Sequence, residues 1–486
     1  MTIKDLKPAI VWNNFYGITR IPRPSKHEEK IRQYLLDWGK EHGIESFTDK
    51  TGNVIMRIPA TPGYEDRKGV VLQGHMDMVP QKNSDKKHDF LTDPIETMVE
   101  GDWLKACGTT LGADNGLGVA LALSVAEDKD IPHGPLEILV TYDEETGMTG
   151  AQALESVLLK GEILINLDSE TEGELYVGCA GGIDATAEGS YRSEAKPQGY
   201  KAFKFFVKGC QGGHSGMDIN LYRANAIKAG CRVLLNLLEA DDEVKLVDLE
   251  GGSLRNAIPR ECFATLYIKD AAKAKEIIEE QARHILEEYA VTDPDMSIGI
   301  EDAECEKEYI HDKDALTILR AGLTCPDGVE RMSASIEGLV ETSNNMAMIK
   351  ADEGKWFVKS LLRSSVDSAK EALCEKMKAV FDLAGAQTTF TGGYSGWAPN
   401  PDSEILGVMK CVYHRLFGDE PKVMAIHAGL ECGILSGAYP NWDMISFGPT
   451  LKSPHSPDER AYIPSVARTW EYLKEVLKSI PECKKN

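Results

Sequence analysis

The chain has 486 residues, 42% hydrophobic and 27% charged, a balance that excludes wholesale disorder and a length that exceeds one ordinary hydrophobic core. A formal charge of −23 repels phosphate backbones and anionic bilayers, which argues against nucleic acid and membrane surfaces as partners. Eleven scattered cysteines without a CxxC pair, no signal-peptide pattern in MTIKDLKPAIVWNN and no apolar run long enough for a membrane span give a cytoplasmic expectation with reduced thiols.

In chain order, Ser25 and Glu28 have capping-box spacing, and Ile31, Leu35 and Trp38 form a helical stripe that stops near Gly43. Strands are predicted at residues 53–58, 70–74, 137–141 and 163–167, with a buried helix over 117–126. Alternating strands and helices imply an α/β sheet covered on both faces. The glycines of CAGGID (179–184) break that rhythm. From about residue 201 to 385 the pattern is strand, long amphipathic helix, strand, with helices at 225–240, 274–290 and 368–384. His284 reads as a surface or boundary histidine. The α/β pattern returns after Gly392-Gly393, with a strand at 443–447 and a closing helix at 465–480. The expected architecture is an α/β domain built from residues 1–183 and 395–486, carrying an inserted α+β domain at 184–394 that repeats one unit twice.

Ionisable residues gather where apolar strands end. His75 and Asp77 follow VVLQG, Asp143-Glu144-Glu145 follow EILVTY, Asp168 follows EILIN, and His455 comes soon after MISFGPT. Asp114 sits in the glycine-rich GTTLGADNGLG. The carboxyl ends of strands are where open α/β sheets place their sites. His75, Asp114, Glu145, Asp168 and His455 are nitrogen and oxygen donors of the kind that suit Zn²⁺, Mn²⁺ or Co²⁺, and five exceed what one open zinc needs. They fit two ions if Asp114 bridges. Each piece has a blander reading: a buried hydrogen bond for His75 and Asp77, a solvated acidic turn for DEE, a helix cap for Asp114 or Asp168, a surface loop for HSPDE. Their joint placement at matching strand ends favours a site.

GHMDMVP, GTTLGADNG, DEETG, NLDSE, GGHSG and SPHSPDE, in this order, resemble the M20 metallopeptidase family. IHAGLECG, GGSLRNAIPRE and the long insertion are similar to its aminoacyl-histidine dipeptidase branch. The resemblance implies a zinc-peptidase-like α/β catalytic domain with an inserted lid or dimerisation domain. It implies two divalent ions, Zn²⁺ first and Co²⁺ or Mn²⁺ as alternatives, one held by His75 and Asp168, the other by Glu145 and His455, with Asp114 shared. Asp77 would fix the His75 tautomer, Glu144 would be the general base, and His214 of GGHSG would stabilise an oxyanion. A cis Asp114–Asn115 bond is expected from the same likeness. Asn256 and Arg363 are candidates for the substrate carboxylate, against a surface salt bridge for Arg363. Glu431 is the candidate for the substrate amine, against a helix-start acid. The insertion is about twice the size of a simple M20 dimerisation domain; its doubled pattern would mimic a dimer inside one chain, leaving monomer and homodimer both open.

The leading expectation is a hydrolase of unblocked dipeptides, Xaa-His and β-Ala-His among them, through a water activated by Glu144. The alternatives are a deacylase or carbamoyl-amino-acid hydrolase with the same site, a metal-stabilised scaffold without turnover, and a phosphoesterase. The last would need basic phosphate clamps that the quoted loops do not supply.

Overall fold

Four apolar runs become the parallel centre of one sheet: Leu136–Thr141, Val70–His75, Ile163–Asn166 and Asp443–Ser446 lie side by side in that order. They are buried almost throughout, as parallel strands covered on both faces must be. Further strands extend this core to eight, with antiparallel Val54–Ile58 and Glu45–Thr48 at one edge, and antiparallel Glu174–Cys179 followed by Lys422–Ile426 at the other. The computed structural model describes residues 2–483, and the chain divides into two compact units. The first runs up to Gly178 and takes in Trp397–Ala425 and the chain from Leu430 onward. The second comprises Cys179–Gly396 and Ile426–Gly429.

In the first unit, the helix Ala113–Glu127 is apolar around its whole circumference and packs between Ala9–Thr19 and the strand Val70–His75. Gly74 and Gly118 permit that close approach. A Cβ on Gly74 would come within 2.2 Å of Asn115 Oδ1, and one on Gly118 within 2.3 Å of the Leu167 carbonyl oxygen. The helix Ile463–Lys478 closes the unit through Val466, Trp470, Leu473 and Val476, all buried. One local expectation fails. The helix Glu29–Glu41 is not started by a Ser25–Glu28 capping box: Glu28 is itself the cap residue, and the Ser25 hydroxyl donates to Asp77 Oδ2 at 2.8 Å. Ser25 lies three residues ahead of that cap, outside the helix start, and its hydroxyl serves the distant carboxylate as a donor.

The second unit is built on an antiparallel sheet ordered Ser297–Asp302, Lys201–Lys208, Cys262–Ile268, Val244–Gly251, Val340–Asp352, Lys355–Ser364, Gly181–Ser190 and Gln387–Tyr394, with Gly328–Met332 paired to Val340–Asp352. Ala226–Ala240 is capped by Asn225 and Ala271–Glu288 by Asp270. With Asp312–Thr324 and Asp367–Leu383, these helices enclose a core that includes Phe205, Leu234, Ile278, Ile318 and Phe381. His284 is half-buried on one of them, beside Arg283. The glycines of CAGGID do not interrupt structure: Gly181 opens a ten-residue strand. A Cβ on Gly182 would lie 2.8 Å from the Tyr394 hydroxyl and 2.9 Å from its ring, so the glycine answers a packing need rather than a turn. No helix among the described residues is long and apolar enough to cross a membrane.

Candidate active site

His75 is the last residue of its strand, and the chain then turns so that Asp77 lies beneath the imidazole. His75 Nδ1 is 3.2 Å from Asp77 Oδ1. Asp77 also accepts from the Glu144 amide at 3.0 Å, the Glu145 amide at 3.2 Å and Ser25 Oγ. Burial would raise its pKa, but the His75 contact and these donors hold it down at about 2. An ionised Asp77 takes the Nδ1 proton, leaving Nε2 to face the site.

That nitrogen faces Asp114 Oδ1 at 3.2 Å and Asp168 Oδ1 at 3.5 Å. The second oxygen of Asp114 faces a different imidazole, His455 Nε2, at 3.1 Å, and His455 Nε2 lies 3.0 Å from Glu145 Oε2. Asp114 therefore divides the other four residues into two sets, His75 with Asp168 and His455 with Glu145. Asp114 is followed by a cis peptide bond to Asn115. The Asn115 side chain accepts from the His75 amide and donates to the Leu167 carbonyl, linking three of the loops. Asp143 and His455 both have left-handed backbones, at φ 55° and 58°, an uncommon state for residues other than glycine and one that clusters at functional sites.

The electrostatics are those of crowded acids. Burial drives Glu144 well above the ordinary carboxylate range, with Asp168, Glu431 and Glu145 adding to the effect and His75 opposing it. Burial likewise lifts Asp168 to about 6 against the pull of His75. Contacts with Asp114 and then Glu145 hold His455 up at about 11. Asp114 itself is depressed, the two histidines outweighing its burial.

Whether these residues suit metal ions can be judged from their own geometry. Glu145 Oε1 and Asp168 Oδ1 are buried without hydrogen-bond partners, an arrangement that is costly unless a cation takes the lone pairs. Ligand atoms of His75, Asp114 and Glu145 all lie within 4.8 Å of one another. The 3.0–3.5 Å gaps between histidine nitrogens and carboxylates match the roughly 3.4 Å edge of a tetrahedron with bonds of about 2.1 Å. The donor set fits.

Glu431 opens the helix Glu431–Ala438, as the helix-start reading expects, yet its carboxylate points into the unit's interior. Its Oε2 accepts from Gln73 Nε2 at 2.6 Å and Thr141 Oγ1 at 2.7 Å, while Oε1 is buried without a partner. Burial raises it to about 7.

His214, Asn256 and Arg363 belong to the second unit. His214 Nδ1 accepts the amides of Gly216 and Met217 at 3.2 and 3.0 Å, so its proton sits on Nε2. Burial, then the Arg363 charge, lower its pKa and keep it neutral. The Asn256 backbone carbonyl accepts from the Ser215 amide at 2.9 Å, and the residue is exposed. The surface salt bridge weighed for Arg363 is overturned. Arg363 is 6% exposed; among the described residues its guanidinium hydrogen-bonds Ser215 Oγ at 3.4 Å and the Tyr394 hydroxyl at 3.3 Å and pairs with no carboxylate. Its strand, Lys355–Ser364, runs through the middle of the sheet, which is why it is buried.

Two residues escaped the sequence reading. Arg23, fully buried, donates to the Met76 and Asp77 carbonyls at 3.0 and 2.7 Å and to that of Gly112. Glu459 accepts the amides of Leu111, Gly112, Ala113 and Asp114. The only local signal was the SPDE run after His455, which reads equally well as a loop.

The profile of Peptidase family M20/M25/M40 matches residues 71–479. The cytosol non-specific dipeptidase of Escherichia coli (strain K12) is 44% identical over 482 residues, covering 99% of each chain. The crystal structure of an aminoacylhistidine dipeptidase from Vibrio alginolyticus superposes with a TM-score of 0.95 at 46% identity, again covering 99% of both chains. An aminopeptidase PepT from Bacillus cereus ATCC 10987 shares the fold at a TM-score of 0.57 and 17% identity, covering 98% of this chain and 99% of that one. A sequence profile spread over most of the chain and relatives alike from end to end establish that this chain belongs to peptidase family M20/M25/M40.

Proposed function

We propose that the protein is a metal-dependent dipeptidase that hydrolyses unblocked dipeptides, Xaa-His and β-Ala-His types among them. The observation that carries this reading is the Asp114 carboxylate, whose two oxygens face two different histidines, each also close to its own second carboxylate. His75 and Asp168 would hold one ion, Glu145 and His455 the other, and Asp114 would be shared, with zinc favoured over cobalt or manganese by this mixed nitrogen and oxygen set. Bound there, such a pair supplies Lewis acidity, easing ionisation of a water and polarising a peptide carbonyl.

The protein's own groups do the rest. Glu144 accepts the proton of the attacking water and returns it to the leaving amine; its carboxylate makes no hydrogen bond among the described residues and is held at raised proton affinity, as a general base requires. Asp77 is a positioning residue that fixes the His75 tautomer. In the inserted unit, the tautomer of His214 leaves Nε2–H as a donor suited to an oxyanion. Arg363 is a buried cation without a counter-charge among the described residues, suited to a substrate carboxylate, and Ser215 links it to Asn256: Ser215 Oγ lies 3.4 Å from the guanidinium and its amide donates to the Asn256 carbonyl. Glu431 Oε1 is a buried acceptor suited to the free α-amine. A cytosolic location is in keeping with the name of the E. coli relative and with eleven cysteines among which no disulfide forms.

The test is hydrolysis by chelator-stripped protein titrated with Zn²⁺, Mn²⁺ or Co²⁺, using β-Ala-His, Gly-Gly and N-acetyl-histidine in parallel. Cleavage of the free-amine dipeptides that saturates near two equivalents, with the acetylated compound untouched, is expected. Cleavage of the acetylated compound alone would replace the dipeptidase reading with a deacylase. No turnover despite bound metal would leave a scaffold.

A further inference from the structure

The helix Ala113–Glu127 is kinked at its start: Asp114 and Asn115 have non-helical backbones, and Gly112 at the cap position offers no side chain. The amides of residues 111–114 therefore lie ahead of the regular helix and need acceptors from elsewhere. A residue 345 positions from Asp114 supplies them: Glu459 Oε2 accepts from Leu111 and Gly112 at 2.7 and 2.9 Å, and Oε1 from Ala113 and Asp114 at 2.7 and 3.2 Å. Glu459 is 1% exposed, so these bonds are sheltered from competing water.

We infer that Glu459 is the positioning residue for Asp114: by binding the four successive amides that lead into it, it holds the loop so that both Asp114 oxygens face the two histidines. The loop that carries Glu459 also carries His455, whose Nε2 lies 3.1 Å from Asp114 Oδ2. One short segment thus grips Asp114 by its backbone amide and its carboxylate, and fixes the spacing of the two proposed ion positions. Arg23 adds to the cradle by donating to the Gly112 carbonyl. A Cβ on Gly112 would lie 2.6 Å from the Arg23 guanidinium, and its φ of 68° is left-handed, so the turn needs glycine on both counts.

The inference rests on the two-ion reading, and its test separates the two. Metal-free wild type, Glu459→Gln, Glu459→Asp and Asp270→Ala are titrated with Co²⁺, following the visible spectrum of the bound ion and, independently, the urea midpoint of each metal-free protein. Asp270 caps the helix Ala271–Glu288 in the second unit, so its variant reports the cost of losing a cap remote in sequence and unit. Expected is a cobalt affinity ten-fold or more weaker in Glu459→Gln, with partial recovery in Glu459→Asp and none of this loss in Asp270→Ala. Hydrogen exchange should accelerate at Leu111–Asp114 in the metal-free glutamine variant ahead of the rest of the helix. Cobalt binding in Glu459→Gln equal to wild type, or an equal loss in Asp270→Ala, overturns the assignment of Glu459 alone. Failure of the wild type to take up cobalt overturns the two-ion reading and this inference with it.

Discussion

Turnover should depend most steeply on Glu144, because proton transfer is the task no neighbour can assume. Glu144→Gln is expected to retain metal uptake and lose hydrolysis by about 10²–10⁴-fold, as removal of a general base does. Parallel metal titration and steady-state kinetics check it; hydrolysis near the wild-type rate would remove Glu144 from the mechanism. Asp77, which acts through His75, never needs to meet substrate. Four donors converge on it, and their combined effect outweighs its complete burial. Most residue types at this site were legible because they followed an apolar run, and Asp114 because it sat in a glycine-rich loop ahead of a buried helix. The Arg363 environment was not, since SLLRSS carries no mark that its guanidinium would be buried beside Ser215 and Tyr394.

At the scale of elements, the site exists because a parallel strand and a helix approach at glycine. Gly74→Ala would place a Cβ within 2.2 Å of Asn115 Oδ1, and Asn115 also holds the His75 amide and the Leu167 carbonyl. Overpacking of this kind costs about 1–3 kcal/mol. Denaturant unfolding should show that loss, and metal affinity should fall with it because three ligand-bearing loops share Asn115. A variant with unchanged stability and affinity would show that the strand and helix can slide apart freely. Strand and helix positions were readable to within a few residues from apolar runs and helical stripes. The start of the helix Glu29–Glu41 was misread because a capping-box spacing is local, whereas the hydroxyl of Ser25 is claimed by Asp77 from 52 residues away.

For the molecule as a whole, acid stability should be set partly in the second unit. His427 is buried, its Nε2 2.7 Å from Ser343 Oγ, and burial followed by the Arg363 charge lowers it to about 3. The unfolded chain binds a proton there below about pH 6.5, while the folded protein refuses it until about pH 3. Stability is therefore complete above pH 6.5 and falls as pH drops through that window, by at most about 1.4 kcal/mol per pH unit from this one group. His427→Gln should flatten that part of the profile in urea midpoints measured from pH 7 to pH 4; an unchanged slope would assign the acid sensitivity elsewhere.

What the sequence determined by itself was the chemical inventory and its order along the chain. Apolar runs that end in His75, Glu144-Glu145 and Asp168 announce parallel strands with chemistry at their tips, because such strands are buried on both faces and only their ends reach a ligand. The ordered motifs extended that reading to the family. Tertiary structure decided who meets whom. Asp114 and Glu459 are 345 residues apart, and Gln73 and Glu431 358 apart, yet both pairs are bonded in the interior of the first unit. Backbone amides at a helix start and a buried carboxylate carry no sequence mark of their partners. Their pairing follows only from the cost of leaving either unsatisfied once the fold has shut out water.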